Sequence, residues 1–248
     1  MSPKSAIFLA AAIFLLTVLV RLPAGVLPLL LPAEVHCQAP TGTLWQGSCG
    51  ELRSGAVTLS GVRWTLHPLA LLRARLLIDV QSDDTRAAGR AQLALHTNGD
   101  LEIQALSAQL PLQGGLSLMP AGWSGALELA IAQASIQGGH LAAVQGALTV
   151  RQLHSDYPAA DLGGFELDFP EPSAEAPGTG ARIVGNLRDL DGPLSLQGQL
   201  QLLRTGAYEL AGTVAARNTS DADLQQMLQP LGPADAQGRH AFSLAGTL

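Results

Sequence analysis

The residues of this chain that could do chemistry are few and scattered. Six histidines (His36, His67, His96, His140, His154 and His240) stand far apart, and none has a second ligand or a catalytic neighbour at a recognisable spacing. Three acidic pairs occur, Asp83-Asp84, Asp189-x-Asp191 and Asp221-x-Asp223. Paired carboxylates work as acid and base only in a cleft that perturbs them, and these pairs lie in turn or helix-cap contexts that favour solvated loops. Gly-x-Ser-x-Gly, the phosphate-loop pattern and His-Glu-x-x-His are all absent. The expectation is a protein that is not an enzyme, with no catalytic residue, no metal and no cofactor.

Two cysteines and three tryptophans are the remaining conspicuous side chains. Cys37 and Cys49 are twelve positions apart. In an oxidising compartment that spacing suits one disulfide; the competing reading is two buried free thiols. Trp45, Trp64 and Trp123 each stand next to a glycine-containing strand start. They fit core packing, or aromatic contact with a partner or lipid.

The elements that position these residues begin with Ser5 to Val20, sixteen residues without a charge, between Lys4 and Arg21. As a helix this run is about 24 Å long, against roughly 30 Å of bilayer hydrocarbon. It reads as a single-pass anchor over 5–21, with 1–4 as a cytoplasmic tip and 22–36, rich in proline, as a periplasmic exit segment. A cleaved signal peptide is the competing reading, but for a cut after Ala24 the outer small-residue position is held by Leu22, with Pro23 beside it. Beyond Arg21 the chain has 12 arginines against 20 carboxylates, so no electrostatic attraction to nucleic acid is expected.

From Val57 onward the apolar residues alternate with period two, the signature of half-buried strands. Val57 and Leu59 share one parity, and after Gly61 it switches to Val62, Trp64 and Leu66, which suggests a bulge or a bend. Pro68–Leu72 is a short connector, and Leu72, Ala74, Leu76, Ile78 and Val80 mark a long strand. Asn98-Gly99-Asp100 is a hairpin turn, and Pro111 marks an edge or a strand end. The stretch 170–180 (PEPSAEAPGTG) cannot bury a core and reads as a flexible loop. Beyond it a repeat emerges: Leu194-x-Leu196-x-Gly198, Tyr208-x-Leu210-x-Gly212 and Phe242-x-Leu244-x-Gly246. Glycine on an apolar face lets a sheet curve or another backbone approach. One short helix breaks the pattern, with Ser220 as its cap and Leu224, Met227, Leu228 and Leu231 on one face.

Several of these blocks resemble one family. They are Leu22-Pro23-Ala24, Gly42-Thr43-Leu44-Trp45-Gln46-Gly47, Leu59-x-Gly61-x-x-Trp64-x-Leu66-x-Pro68, and the glycine strands from Gly192 to Gly212. The order resembles type II secretion system protein N of Gram-negative bacteria. The resemblance implies a mainly β protein: a transmembrane helix, then a curved antiparallel sheet over 37–248, an AsmA-like half-pipe or open barrel with one short helix near its C-terminus. It implies an accessory or assembly role in type II protein secretion at the cell inner membrane, with the β domain in the periplasm. The implied partners are the inner-membrane platform and the outer-membrane secretin. A lipid-binding or lipid-transfer module with an apolar curved sheet is the alternative. Cys37 and Cys49 are not part of the resemblance.

Overall fold

The computed structural model describes residues 14, 17–18, 20–27, 35–54, 57–84, 87–113, 122–157, 159–170, 182–218 and 221–247. The loop expected over 170–180 lies outside them from residue 171 onward, as do most of residues 5–21. Fourteen strands form one sheet: β1 (Val35–Gln38), β2 (Thr41–Gly42), β3 (Gln46–Ser54), β4 (Val57–His67), β5 (Arg75–Asp83), β6 (Ala88–His96), β7 (Leu101–Gln113), β8 (Trp123–Gln137), β9 (His140–Asp156), β10 (Ala159–Phe169), β11 (Arg182–Asp189), β12 (Leu194–Leu203), β13 (Ala207–Ala216) and β14 (His240–Thr247). From β3 to β14 each strand pairs antiparallel with its neighbours in sequence; β1 and β2 both pair with β3. The sheet is open, because β1 and β14 are not joined.

The expected membrane-spanning helix, and the single-pass inner-membrane location that rested on it, are corrected. No helix among the described residues is long and apolar enough to cross a membrane. The described part shows where helical backbone stops: the Arg21 N–H donates to the Thr17 carbonyl at 3.1 Å, and Pro23 is already extended at φ −69° and ψ 149°. The physical reason is length. An uncharged run of sixteen residues, closed by an arginine and a proline, falls short of a hydrocarbon core by about 6 Å.

The parity switch at Gly61 (φ 64°) leaves the register with β3 unbroken, from Glu51↔Ser60 to Cys49↔Val62, so it is a bend and not a bulge. A bulge lies at Ala105 (φ 49°), where the register with β6 jumps from Gln92↔Gln104 to Arg90↔Ser107. The extra residue turns Leu106, Ala108 and Leu110 back to the face that Leu101 and Ile103 occupy. Pro111 lies within β7, opposite Ala126. On its other side β6 has stopped pairing at Ala108, so β7 is locally an edge there, where proline is tolerated.

Two local expectations shift. The strand expected from Leu72 starts at Arg75, because Pro68–Arg73 form a 3-10 helix that ends on Ala74 at φ 54°. Leu72 is exposed. The helix near the C-terminus, α1 (Ala222–Leu228), is capped by Asp221, whose carboxylate accepts from the Leu224 N–H; Ser220 lies outside the described residues.

The core lies in two places on one face of the sheet. One cluster joins Ala24, Cys49, Val62, Trp64 and Leu66. The other joins Leu153, Ala160, Leu162, Leu194, Val214 and Ala216 with Leu224 and Leu228 of α1. The C-terminal half also curls. Arg204, after β12, donates to the Gln137 side chain at the end of β8 at 3.0 Å. In a flat sheet four strand steps would separate these strands by about 19 Å.

Candidate interaction face

The first cluster brings the sequence blocks together residue by residue. Thr43 and Gln46 close a tight turn, with the Thr43 N–H donating to the Gln46 carbonyl at 2.9 Å and the Gln46 N–H to Thr43 Oγ1 at 3.1 Å. The turn carries Gly47 to a position directly across from Trp64. A side chain at Gly47 would place its Cβ 2.5 Å from Trp64 Cζ2 and 2.6 Å from the Thr41 carbonyl, so only glycine leaves room for the indole. Trp64 Nε1 donates to the Leu44 carbonyl at 3.0 Å. The Leu66 N–H donates to the Trp45 carbonyl at 2.7 Å, and the Leu44 N–H to the Leu22 carbonyl at 2.8 Å. Pro23 bridges Thr43, and Ala24 is fully enclosed. Blocks separated by some forty residues therefore form one knot.

Cys37 on β1 and Cys49 on β3 lie with their Cα atoms 5.7 Å apart and their sulfurs bonded. Cys49 is buried within the same cluster. Of the three tryptophans, Trp64 is buried and Trp45 packs partly buried beside it, whereas Trp123 packs against the second cluster.

Between the clusters the same face carries an apolar strip. Cross-strand partners run Leu66–Ile78–Leu93–Ile103 at one end and Leu129–Leu148–Leu167–Leu187 further on. These leucines and isoleucines are partly buried except Leu66, which belongs to the first core. On β4 to β7 the strip opens into an apolar groove of about 220 Å³, lined by Leu59, Val62, Val80, Leu106 and Leu110 among others. The opposite face is polar. There a groove of about 570 Å³ is lined by Arg63, Asp79, Gln81, Arg90 and Gln92 among others.

Several of the acidic side chains are engaged structurally. Asp79 is bonded to His67 at 2.6 Å and accepts from Gln92 at 2.7 Å. Burial raises its pKa, but these hydrogen bonds and the His67 charge outweigh that and leave it below the usual value. Asp83 pairs with Arg63, and Asp84 accepts from the Ser60 N–H. Asp189 accepts from the Leu196 N–H at 2.8 Å and from Arg217. Burial raises its pKa too, and the Leu196 and Arg217 hydrogen bonds bring it below the usual value. The pairs expected to be solvated are thus partly lashings between strands. No group of three metal-ligating side chains exists among the described residues. The arrangement can pack and bind.

Sequence reading missed Gly47 as the seat of Trp64 and Arg217 as the partner of Asp189. A glycine and a tryptophan seventeen positions apart carry no signal of pairing until the register is known.

Comparison with known proteins gives a consistent answer. The family model described as "Type II secretion system (T2SS), protein N" matches residues 33–243. The chain is 26% identical to "Type II secretion system protein N" of Vibrio cholerae serotype O1, covering 97% of this chain and 96% of that protein. It is 25% identical to the protein of the same name from Aeromonas hydrophila, over 97% and 98% of the two chains. With that of Klebsiella pneumoniae the identity is 27%, over 93% and 90%. No solved structure matches. The matched span includes both motif blocks knotted around Trp64 and every strand but the end of β14, so the chain belongs to the type II secretion system protein N family and has its general role in that protein-secretion pathway.

Proposed function

We propose that this chain is a non-catalytic accessory or assembly component of the type II secretion system, acting by contact with the inner-membrane platform and the outer-membrane secretin. The observation that carries the reading is family membership over most of the chain's length. A single open sheet with an exposed edge and two lined faces has the surface for such contacts. The test is affinity capture of the full chain from cells that express the secretion system. Platform or secretin proteins should be enriched over a strain lacking the chain, and their absence from the captured material sinks the reading.

A second reading, binding of a lipid acyl chain, is supported by the apolar strip and its 220 Å³ groove. It expects phospholipid to co-purify with the chain in native mass spectrometry. A purified chain without lipid, whose Leu106→Asp variant still functions in secretion, removes it.

A further inference from the structure

We propose that β14 pairs with β14 of a second copy of this chain, antiparallel and centred on Leu244, so that two sheets join edge to edge in a twofold dimer. The two edges of the sheet are unlike. At the N-terminal edge β1 has four residues and β2 has two, Pro40 stands between them, and the Cys37–Cys49 bridge ties β1 down. Short strands and proline are the usual means of blunting an edge. β14 has none of these guards. It runs for eight residues, HAFSLAGT, without lysine, arginine, aspartate, glutamate or proline, and β13 covers only one of its sides. Among the described residues nothing pairs with its other side, which offers backbone groups over roughly 27 Å. Leu244 at its middle is 55% exposed.

The occupant follows from the pairing already present. β13 and β14 carry the same pattern, Tyr208-x-Leu210-x-Gly212 and Phe242-x-Leu244-x-Gly246. In the sheet they run antiparallel with Tyr208 opposite Gly246, Leu210 opposite Leu244 and Gly212 opposite Phe242. The glycines make space for the rings: a Cβ on Gly212 would lie 2.8 Å from Phe242 Cζ, and one on Gly246 2.8 Å from the Tyr208 hydroxyl. An aromatic-x-Leu-x-Gly strand is therefore complementary to an antiparallel strand of the same kind, and β14 is complementary to itself. Centred on Leu244, a second β14 sets Phe242 against Gly246, Leu244 against Leu244, and Ser243 against Ala245. The row Leu200–Leu210–Leu244 then continues across the axis without a break. Each β14 side is used once and the other edges are blunted, so the assembly closes at two. An unlike strand would need only unpaired backbone groups and would have no need of the matched repeat.

The test uses the purified full chain with its disulfide intact. Sedimentation should give twice the 25.7 kDa of one chain. Leu244→Lys, which puts two like charges on the axis, should return the mass to one chain with an unchanged far-UV spectrum. Leu244→Cys should cross-link to itself without reductant, whereas Ala245→Cys should do so only when paired with Ser243→Cys, which checks the register. A single-chain mass for the parent protein overturns the proposal. So does a doubled mass that Leu244→Lys leaves unchanged, or a Leu244→Cys chain that does not cross-link.

Discussion

At the residue scale the recurring device is a glycine under an aromatic ring. Gly47 seats Trp64, Gly212 and Gly198 lie beneath Phe242, Gly246 lies beneath Tyr208, and Gly185 faces the ring of Phe169. The ring buries the area that the glycine leaves, and the strand keeps its pairing. Gly47 is the sharpest case because backbone as well as ring stands in the way of a Cβ. Gly47→Ala is therefore expected to destabilise the fold by about 1–3 kcal/mol, the usual cost of forcing atoms into a packed site. Denaturant unfolding measures it, and an unchanged midpoint contradicts the role assigned to Gly47. The Gly-x-x-Trp-Gln-Gly spacing was readable beforehand as a motif. Its meaning was not, because the ring that occupies the space over Gly47 belongs to another strand.

At the element scale each strand is anchored by its neighbours except at the two ends of the sheet. β1 is four residues long and pairs only with β3, so a covalent tie there has more to hold than it would in a central strand. We propose that Cys37 and Cys49 are bridged in the working protein and that the bridge keeps β1 on the sheet. Replacing both by alanine should cost about 3 kcal/mol, the entropy of opening a loop of this length in the unfolded chain. Thiol titration of the denatured, unreduced protein should find no free thiol, and two free thiols would end the proposal. Element existence was largely visible in the period-two pattern and in the Leu224 and Leu228 spacing of α1. Element boundaries were not. Leu72 looked like a strand residue because it keeps parity with Leu76 and Ile78, but Pro68 starts a 3-10 turn and Ala74 reverses the chain at φ 54°. Ser220 and Asp221 are equally good caps by residue type, and backbone geometry selects Asp221.

For the whole molecule, the Asp189 contacts hold the curled C-terminal half together. The carboxylate on β11 takes the Leu196 N–H of β12 and the Arg217 guanidinium that follows β13, and the Arg217 N–H donates to the Pro193 carbonyl at 2.9 Å. The folded pKa of Asp189 lies below the ordinary 3.8. Its contribution is thus fully present above that value and is lost as pH falls through the folded pKa. Arg217→Ala should cost about 1 kcal/mol near neutrality, given a half-exposed partner, and should shift acid unfolding to higher pH. Thermal melts at stepped pH check this; a cost that stays the same at pH values below the folded pKa rules it out. The sequence by itself determined that this is a β protein with one short C-terminal helix and no catalytic constellation, and its motif order pointed to the family. These depend on residue type and local period, which any single strand displays. Only the tertiary structure decided which residues meet: Gly47 with Trp64, Asp189 with Arg217, and the matched pattern of β13 and β14 that leaves one edge bare. No helix among the described residues is long and apolar enough to cross a membrane. Register and curl arise from pairing between strands far apart in the chain, and a one-residue bulge such as that at Ala105 changes every later contact.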